Sequence, residues 1–408
     1  MVTAAFGNIC VAVVSSDAPW AFDQNRRTNS SLPSCPNLWF TNSYVPVIAE
    51  DGSGPQQEHR YLRSPSQRQI FPSTTSNIIS LITHGTRNNF RFLPLLADVW
   101  SGPIELVVYV GCGRDDELRS RLELHNILRA SPQLRRNVNV HVVVPACQVE
   151  QTFESYECAY RFWKVRDRSA THEIHAQYSG AAEDDVRNFN QQTSDAPYPA
   201  NLLRNVGRMA AMQSEYQLVL DMDILPSRGL HTNLAVLLAS LPRLSRTALV
   251  LAAFETRLSC DSALNIDGLP LVKSELQAAI LSGTVRPFYA AVNRKVQKTT
   301  DYARWLSLST NPHSPPLSLA YRVDWQLPYE PYVVMPRDAP MFDQGFVAYG
   351  VNRLSQLAEM HMEGFELVVL DNAFVLHCGF KETHLFHAER QQQLRANQAL
   401  LDEILSGA

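Results

Sequence analysis

The stretch Tyr216-Gln-Leu-Val-Leu-Asp-Met-Asp-Ile-Leu-Pro-Ser227 ends an apolar run on two carboxylates, Asp221 and Asp223. Side chains alternate along a strand, so residues two apart point the same way. In open α/β sheets the carboxyl ends of the strands are where ligands bind. Two carboxylates projecting together from such an end suit a hard divalent cation, Mg²⁺ or Mn²⁺, above all one that also holds a diphosphate. The chemistry this spacing points to is metal-dependent transfer from a nucleotide-sugar. A bare Asp-x-Asp also serves as a turn or capping pair, so the neighbouring residues have to carry the distinction.

Upstream lies Tyr198-Pro-Ala-Asn-Leu-Leu-Arg-Asn-Val-Gly-Arg-Met-Ala-Ala-Met212. Leu202, Leu203, Val206, Met209 and Ala210 form the apolar stripe of a helix, and Asn201, Arg204, Asn205 and Arg208 recur three and four apart on another side. That polar stripe reads either as a solvated face or as groups that reach a nucleotide or orient the Asp pair. His172-Glu-Ile-His175 lacks the i, i+4 spacing of a helical zinc motif and reads as a solvated loop. Gly111-Cys-Gly113 lacks the third glycine of a dinucleotide fingerprint and reads as a turn.

The elements needed to position these groups can be read from periodicity. Strands are expected at Ile78 to Thr83, Ile104 to Val110, Val138 to Val144, Ala248 to Phe254, Glu366 to Leu370 and Phe374 to His377. Helices are expected around Phe90 to Trp100 and at Asp115 to Ala130, Phe153 to Val165, Leu230 to Ser240, Leu271 to Ser282, Asn352 to Met362 and Ala388 to Leu405. Strands alternating with helices predict an α/β, doubly wound, mostly parallel sheet. Residues 290 to 320 read as loop, and Asp324 to Tyr332 as an aromatic corner or sugar platform. Residues 1–76, rich in Pro, Ser, Asn and Gln, are expected to be a flexible stem or tail, and 77–408 the catalytic domain.

The chain has 408 residues, 45% hydrophobic, and a net charge of −4 with no basic run, which argues against nucleic-acid binding. Its seven cysteines form no CxxC pair, and their odd number leaves one unpaired in a monomer. No stretch reaches the roughly 18 consecutive apolar residues of a membrane span. Met1 to Ser16 reads as a weak signal or truncated anchor, and Asn29-Ser-Ser31 is a glycosylation sequon if the chain is lumenal.

Several longer motifs, in order, resemble glycosyltransferase family 49: LITHGT (Leu81 to Thr86), YPANLLRNVGR, LVLDMDILPSRGL, KSEL (Lys273 to Leu276), VRPFY, DYARW, DWQLPYEPYVV, FDQGFVAYGVNRLSQ and VLHCGFK. That family includes the β-1,4-glucuronyltransferase of O-mannosyl glycan synthesis and the second catalytic domain of LARGE. The resemblance implies a GT-A fold, Mn²⁺, UDP-glucuronate as donor and inverting β1,4 transfer to xylose on a glycoprotein glycan. It also implies a type II Golgi protein that associates with other Golgi transferases. Carried over by motif, Asp221, Asp223 and His377 become the metal set. Thr83 and His84 face the uridine, and Asn201, Arg204, Asp221 and Lys381 join the UDP site. Lys273 and Arg286 are the cations for the donor carboxylate. Asp343 is the catalytic base, with Glu330 second.

Departures bear on the sugars. Relatives read FDERF where this chain has Phe342-Asp-Gln-Gly-Phe346, and VLHKGFK where it has Cys378. Relatives also carry cysteines in the loop corresponding to Ala291 to Thr299. The alternatives are a different UDP-sugar, such as xylosyl or N-acetylglucosaminyl transfer, or a weakly catalytic glycan-binding relative. A nucleotidyltransferase fits less well, because His84-Gly-Thr-Arg87 is a poor phosphate loop.

Overall fold

The computed structural model describes residues 10–15, 59–60, 78–110, 114–145, 198–258, 266–308, 317–346, 349–382 and 388–407. Outside that set lie most of the stem read at 1–76, Gly111-Cys112-Gly113, the expected helix from Phe153 to Val165, and His172-Glu173-His175. In chain order the first elements are β1 (Cys10–Ser15), β2 (His59–Arg60), β3 (Ile79–Gly85), α1 (Leu93–Val99), β4 (Ile104–Tyr109), α2 (Arg114–Ala130), α3 (Pro132–Asn137) and β5 (Val138–Pro145). Then come α4 (Ala200–Ala210), β6 (Tyr216–Asp221), β7 (Ile224–Pro226), α5 (Leu230–Ser240), β8 (Thr247–Thr256), α6 (Lys273–Leu281), β9 (Val285–Pro287) and α7 (Tyr302–Ser307). The chain closes with β10 (Ser318–Val323), β11 (Tyr332–Pro336), α8 (Leu354–Met362), β12 (Glu366–Cys378) and α9 (Ala388–Gly407).

Contacts divide the chain into two compact units, Met1–Ile70 with Val108–Ala196, and Phe71–Val107 with Pro197–Ala408. In the first, β1 and β2 both pair antiparallel with β5, Cys10 opposite Val144 and His59 opposite Pro145.

The second unit carries the chemistry. Its strands follow the order β3-β6-β11-β8-β12-β10, with β7 on β12 and β9 on β8. All seven residues of β3 are buried, as are the first five of β6, the near-continuous apolar runs that strands covered on both faces require. β3 and β6 are parallel with His84 opposite Asp221, and β8 and β12 are parallel with His377 opposite Glu255. β11 runs antiparallel between β6 and β8. It therefore begins near the end of β6, where the Tyr332 hydroxyl meets Asp221.

The sheet is thus mixed, more so than strand–helix alternation suggests. β9, β10 and β11 are short strands absent from the expected set; β10 begins inside the stretch read as loop and β11 at the end of the aromatic corner. DYARW, also read as loop, forms α7, capped by the Asp301 carboxylate accepting the Arg304 N–H at 3.2 Å. The two strands expected at 366–370 and 374–377 are one strand, β12, with a register shift between Val369 and Phe374 and Asn372 at φ 55°. Pro94 lies in the first turn of α1, where a missing N–H costs nothing. The core packs Phe254 against Trp305 and Phe374, at ring distances of 5.5 and 6.1 Å. At Gly207 of α4 a Cβ would overlap Ile82, so only glycine lets the helix come this close to β3.

Candidate active site at the strand ends

Asp221 is gripped from three sides. Oδ1 accepts from Arg204 at 3.2 Å and lies 3.4 Å from His84 Nε2, and Oδ2 accepts from Arg353 at 3.0 Å. The Tyr332 hydroxyl is 3.4 Å from Oδ2. Burial alone would raise the carboxyl's pKa, but Arg353, His84 and Arg204 outweigh it and hold Asp221 well below the usual carboxylate range. His84 in turn meets the Tyr198 hydroxyl at 2.7 Å through Nδ1. Burial, with Arg204 and Arg353 nearby, lowers its pKa despite Asp221, so it is neutral at neutral pH.

Asp223 lies in the turn between β6 and β7, not on the strand, and has different partners. Oδ2 lies 3.2 Å from His377 Nε2 and 3.9 Å from Lys381 Nζ. Burial raises its pKa, and His377 and Lys381 more than reverse the effect. His377 Nδ1 donates to the Gly379 carbonyl at 2.6 Å, which orients the ring so that Nε2 faces Asp223.

The polar stripe of α4 is no solvated face, since Asn201, Arg204, Asn205 and Arg208 are all buried. Asn205 brackets Phe342, donating to its carbonyl at 2.7 Å and accepting its N–H at 2.9 Å. Arg208 donates to Gln217 and to the carbonyls of Pro340 and Ala339. Asn201 donates to the carbonyls of Asp343 at 2.6 Å and Asn352 at 2.8 Å. Arg204, besides Asp221, holds the side chains of Asn201 and Asn352.

The two base candidates separate. Glu330 lies 3.7 Å from Arg353 Nε, and burial raises its pKa despite Arg353 and Arg204. Asp343 accepts the N–H of Gly345 at 2.8 Å, a turn contact, and its charge is felt by Glu359. The two donor cations separate as well. Lys273 is buried, 2.9 Å from Asp371 and over the Trp305 ring, and donates to the Leu308 carbonyl, away from Asp221 and Asp223. Arg286 pairs with Glu255 and Glu382 and donates to the Lys381 carbonyl at 2.9 Å, which sets it beside the cluster. Thr83 is fully buried, on the opposite side of β3 from its neighbour His84.

Three residues in the cluster were not among the sequence candidates. Arg353 bridges Asp221 and Glu330 while stacking over Tyr332 at 4.3 Å. Glu255, fully buried, accepts from Arg286 at 2.5 Å and from the Lys381 N–H at 3.2 Å. It stands one residue before the end of β8, as Asp221 stands at the end of β6, and that acid after an apolar run was a readable signal. Tyr332 had no signal beyond its place in an aromatic stretch.

A family profile described as "Glycosyl-transferase for dystroglycan" matches residues 78–407. The chain belongs to glycosyltransferase family 49. It is 31% identical over 362 residues to Beta-1,4-glucuronyltransferase 1 of Danio rerio, covering 86% of this chain and 78% of that one. Against the Homo sapiens protein of that name it is 33% identical over 324 residues, 79% of this chain and 73% of the other. Xylosyl- and glucuronyltransferase LARGE2s of Gallus gallus is 29% identical over 304 residues, 73% of this chain but 31% of the relative. A solved structure, "GalNAc-T7 with UDP, GalNAc and Mn2+", superposes with a TM-score of 0.30 at 10% identity, over 73% of this chain and 43% of that chain, too distant to carry inference.

This family 49 chain is therefore a glycosyltransferase with an α/β fold built on a mixed sheet, and its donor set can be tested against a divalent cation. Among the described residues no three His, Cys, Asp or Glu side chains already stand in ligand positions. The pair Asp223–His377 does fit. His377 Nε2 and Asp223 Oδ2 face each other at 3.2 Å, and one carboxylate oxygen with one imidazole nitrogen is a set Mn²⁺ takes. Both Asp221 oxygens are already engaged, by Arg204 and His84 at Oδ1 and by Arg353 and Tyr332 at Oδ2.

Proposed function

We propose that the chain transfers glucuronate from UDP-glucuronate to a β-xylose-terminated glycan, with inversion, forming a β1,4 bond. The observation that carries this reading is the Asp223–His377 pair facing Lys381 at the strand ends, in a chain whose relatives are named glucuronyltransferases. Asp223 and His377 would hold the cation, with Asp221 oriented beside them by Arg353 and Arg204. When bound, Mn²⁺ supplies Lewis-acid charge to the diphosphate. Lys381 adds positive charge on the leaving-group side. Glu330 takes the acceptor hydroxyl's proton while that oxygen bonds the anomeric carbon and UDP departs. A carboxyl raised toward neutrality by burial suits that task better than Asp343, engaged in its own turn. For the donor carboxylate we assign Arg286, whose side chain is 26% exposed beside Lys381, over Lys273 at 4%.

The same reading puts the enzyme in the Golgi lumen. Among the described residues no helix is long and apolar enough to cross a membrane. The disulfide at Cys378 suits an oxidising compartment.

The test is UDP release with UDP-glucuronate and a β-xyloside, with and without Mn²⁺, beside UDP-xylose and UDP-N-acetylglucosamine. Mn²⁺-dependent turnover is expected with UDP-glucuronate. Turnover with another donor alone moves the donor assignment, and none with any UDP-sugar sinks the reading.

A further inference from the structure

The turn that delivers Arg353 is strained. Gly350 has φ 97° and Val351 φ 45°. A β-branched residue in the left-handed region is a genuine outlier, and such a conformation persists only where its surroundings hold it. The next two residues are Asn352, which anchors Arg204, and Arg353, which bridges Asp221 and Glu330.

What holds the turn is the C-terminal helix α9. Asn397, 4% exposed, donates to the carbonyls of Tyr349 at 3.2 Å and Gly350 at 2.9 Å. Gln393 accepts the Tyr349 N–H at 3.3 Å. Leu394 closes over Gly350, in the space a Cβ would need. Leu401 is fully buried with Phe346 and Leu354, and Val351 and Leu400 pack on that cluster. Polar clamp and apolar seat both act on the segment preceding Arg353.

We propose that Asn397 is a positioning residue, and that α9 through it holds the Gly350–Val351 turn left-handed and so aims Arg353 at Asp221 and Glu330. Asn397 touches none of these groups itself. Its effect passes along three bonded steps: Asn397 to the 349–350 carbonyls, the turn to Arg353, and Arg353 to the two carboxylates. The inference rests on the transfer reading above, because its readout is the rate of that transfer.

The test pairs a variant that removes the clamp with one that removes the need for it. Asn397→Leu keeps the bulk and loses both donated bonds. It should lower kcat about tenfold, the rate equivalent of a buried hydrogen-bond pairing. UDP binding with Mn²⁺ by calorimetry should fall less than kcat, because Asp223, His377 and Lys381 do not depend on the turn and only Asp221 is oriented through it. Val351→Gly adopts the left-handed conformation without cost. Added to Asn397→Leu, it should restore kcat to within about threefold of the parent. If Asn397 only stabilised the fold, the double variant would be worse than either single one, since Val351 also packs against α9. If Asn397→Leu does not accumulate folded, Asn397→Ser, with a smaller donor, replaces it in the same cycle. Parent-like kcat in the Asn397 variant, or failure of Val351→Gly to rescue, overturns the proposal. Absence of turnover in the parent itself instead points to failure of the transfer reading.

Discussion

Glu330 and Asp223 are similarly sheltered, at 28% and 22% side-chain exposure, yet burial wins at one and charge at the other. At Glu330 desolvation outweighs Arg353 and Arg204, so its pKa is raised. At Asp223 His377 and Lys381 outweigh desolvation, so its pKa is lowered. A base must be ionised to work, so the acid limb of kcat/KM should lie higher than an ordinary glutamate would place it. Glu330→Gln should abolish that limb and lower kcat about 10²–10⁴-fold. The linkage has a definite sign. A carboxyl whose folded pKa is raised contributes stability that is present below its unfolded pKa and is lost as pH rises through the folded one. Gln mimics the protonated form, so Glu330→Gln should melt higher than the parent at neutral pH while being nearly inactive. A lower melting temperature together with a retained acid limb would remove Glu330 from the role. Asp223→Asn should cut Mn²⁺-dependent turnover by at least about a hundredfold, more than loss of an outer-shell partner costs a metal site. Parent-like rates in that variant would refute the assignment of Asp223 to the metal.

Helix α4 shows where the sequence was legible and where it was not. Its extent, its apolar stripe and its polar stripe all follow from spacing, but which stripe faces water does not. Asn201, Asn205 and Arg208 look like surface residues until the 339–343 segment lies on them, and that contact spans more than a hundred residues of chain. The same gap hid Arg353, which sits in a quoted motif but is marked only by a partner on another element. It also hid the direction of β11, because five apolar residues do not say which way a strand runs. Asp221 and Asp223 were legible because an apolar strand ending in paired acids is a local pattern. Gly207 offers a test of the packing itself. A Cβ there meets Ile82 and, at 3.2 Å, Val107, with no neighbour free to yield cheaply. Gly207→Ala should therefore destabilise the fold by about 1–3 kcal/mol, against the few tenths to 1 kcal/mol that Ala normally gains over Gly in a helix. Urea unfolding measures the balance. An unchanged or raised midpoint would mean that α4 and β3 are not packed so closely.

At the scale of the whole molecule the cysteines link compartment to chemistry. The chain has seven, too scattered to reveal their pairing and odd in number. Cys378 is disulfide-bonded. It stands next to His377 and ends β12, so the covalent tie falls at the end of the strand that presents a proposed metal ligand. Titration of thiols in denaturant should find at least two more after reduction than before. Reduction should lower stability by about 2–4 kcal/mol and, by loosening the backbone at His377, weaken Mn²⁺-dependent UDP binding along with it. Cys378→Ser should reproduce both effects without reductant. Unchanged thiol counts would show that Cys378 is free. A lost disulfide with unchanged UDP binding would show that hydrogen bonding of His377 to Gly379, and not the covalent tie, keeps the imidazole turned toward Asp223.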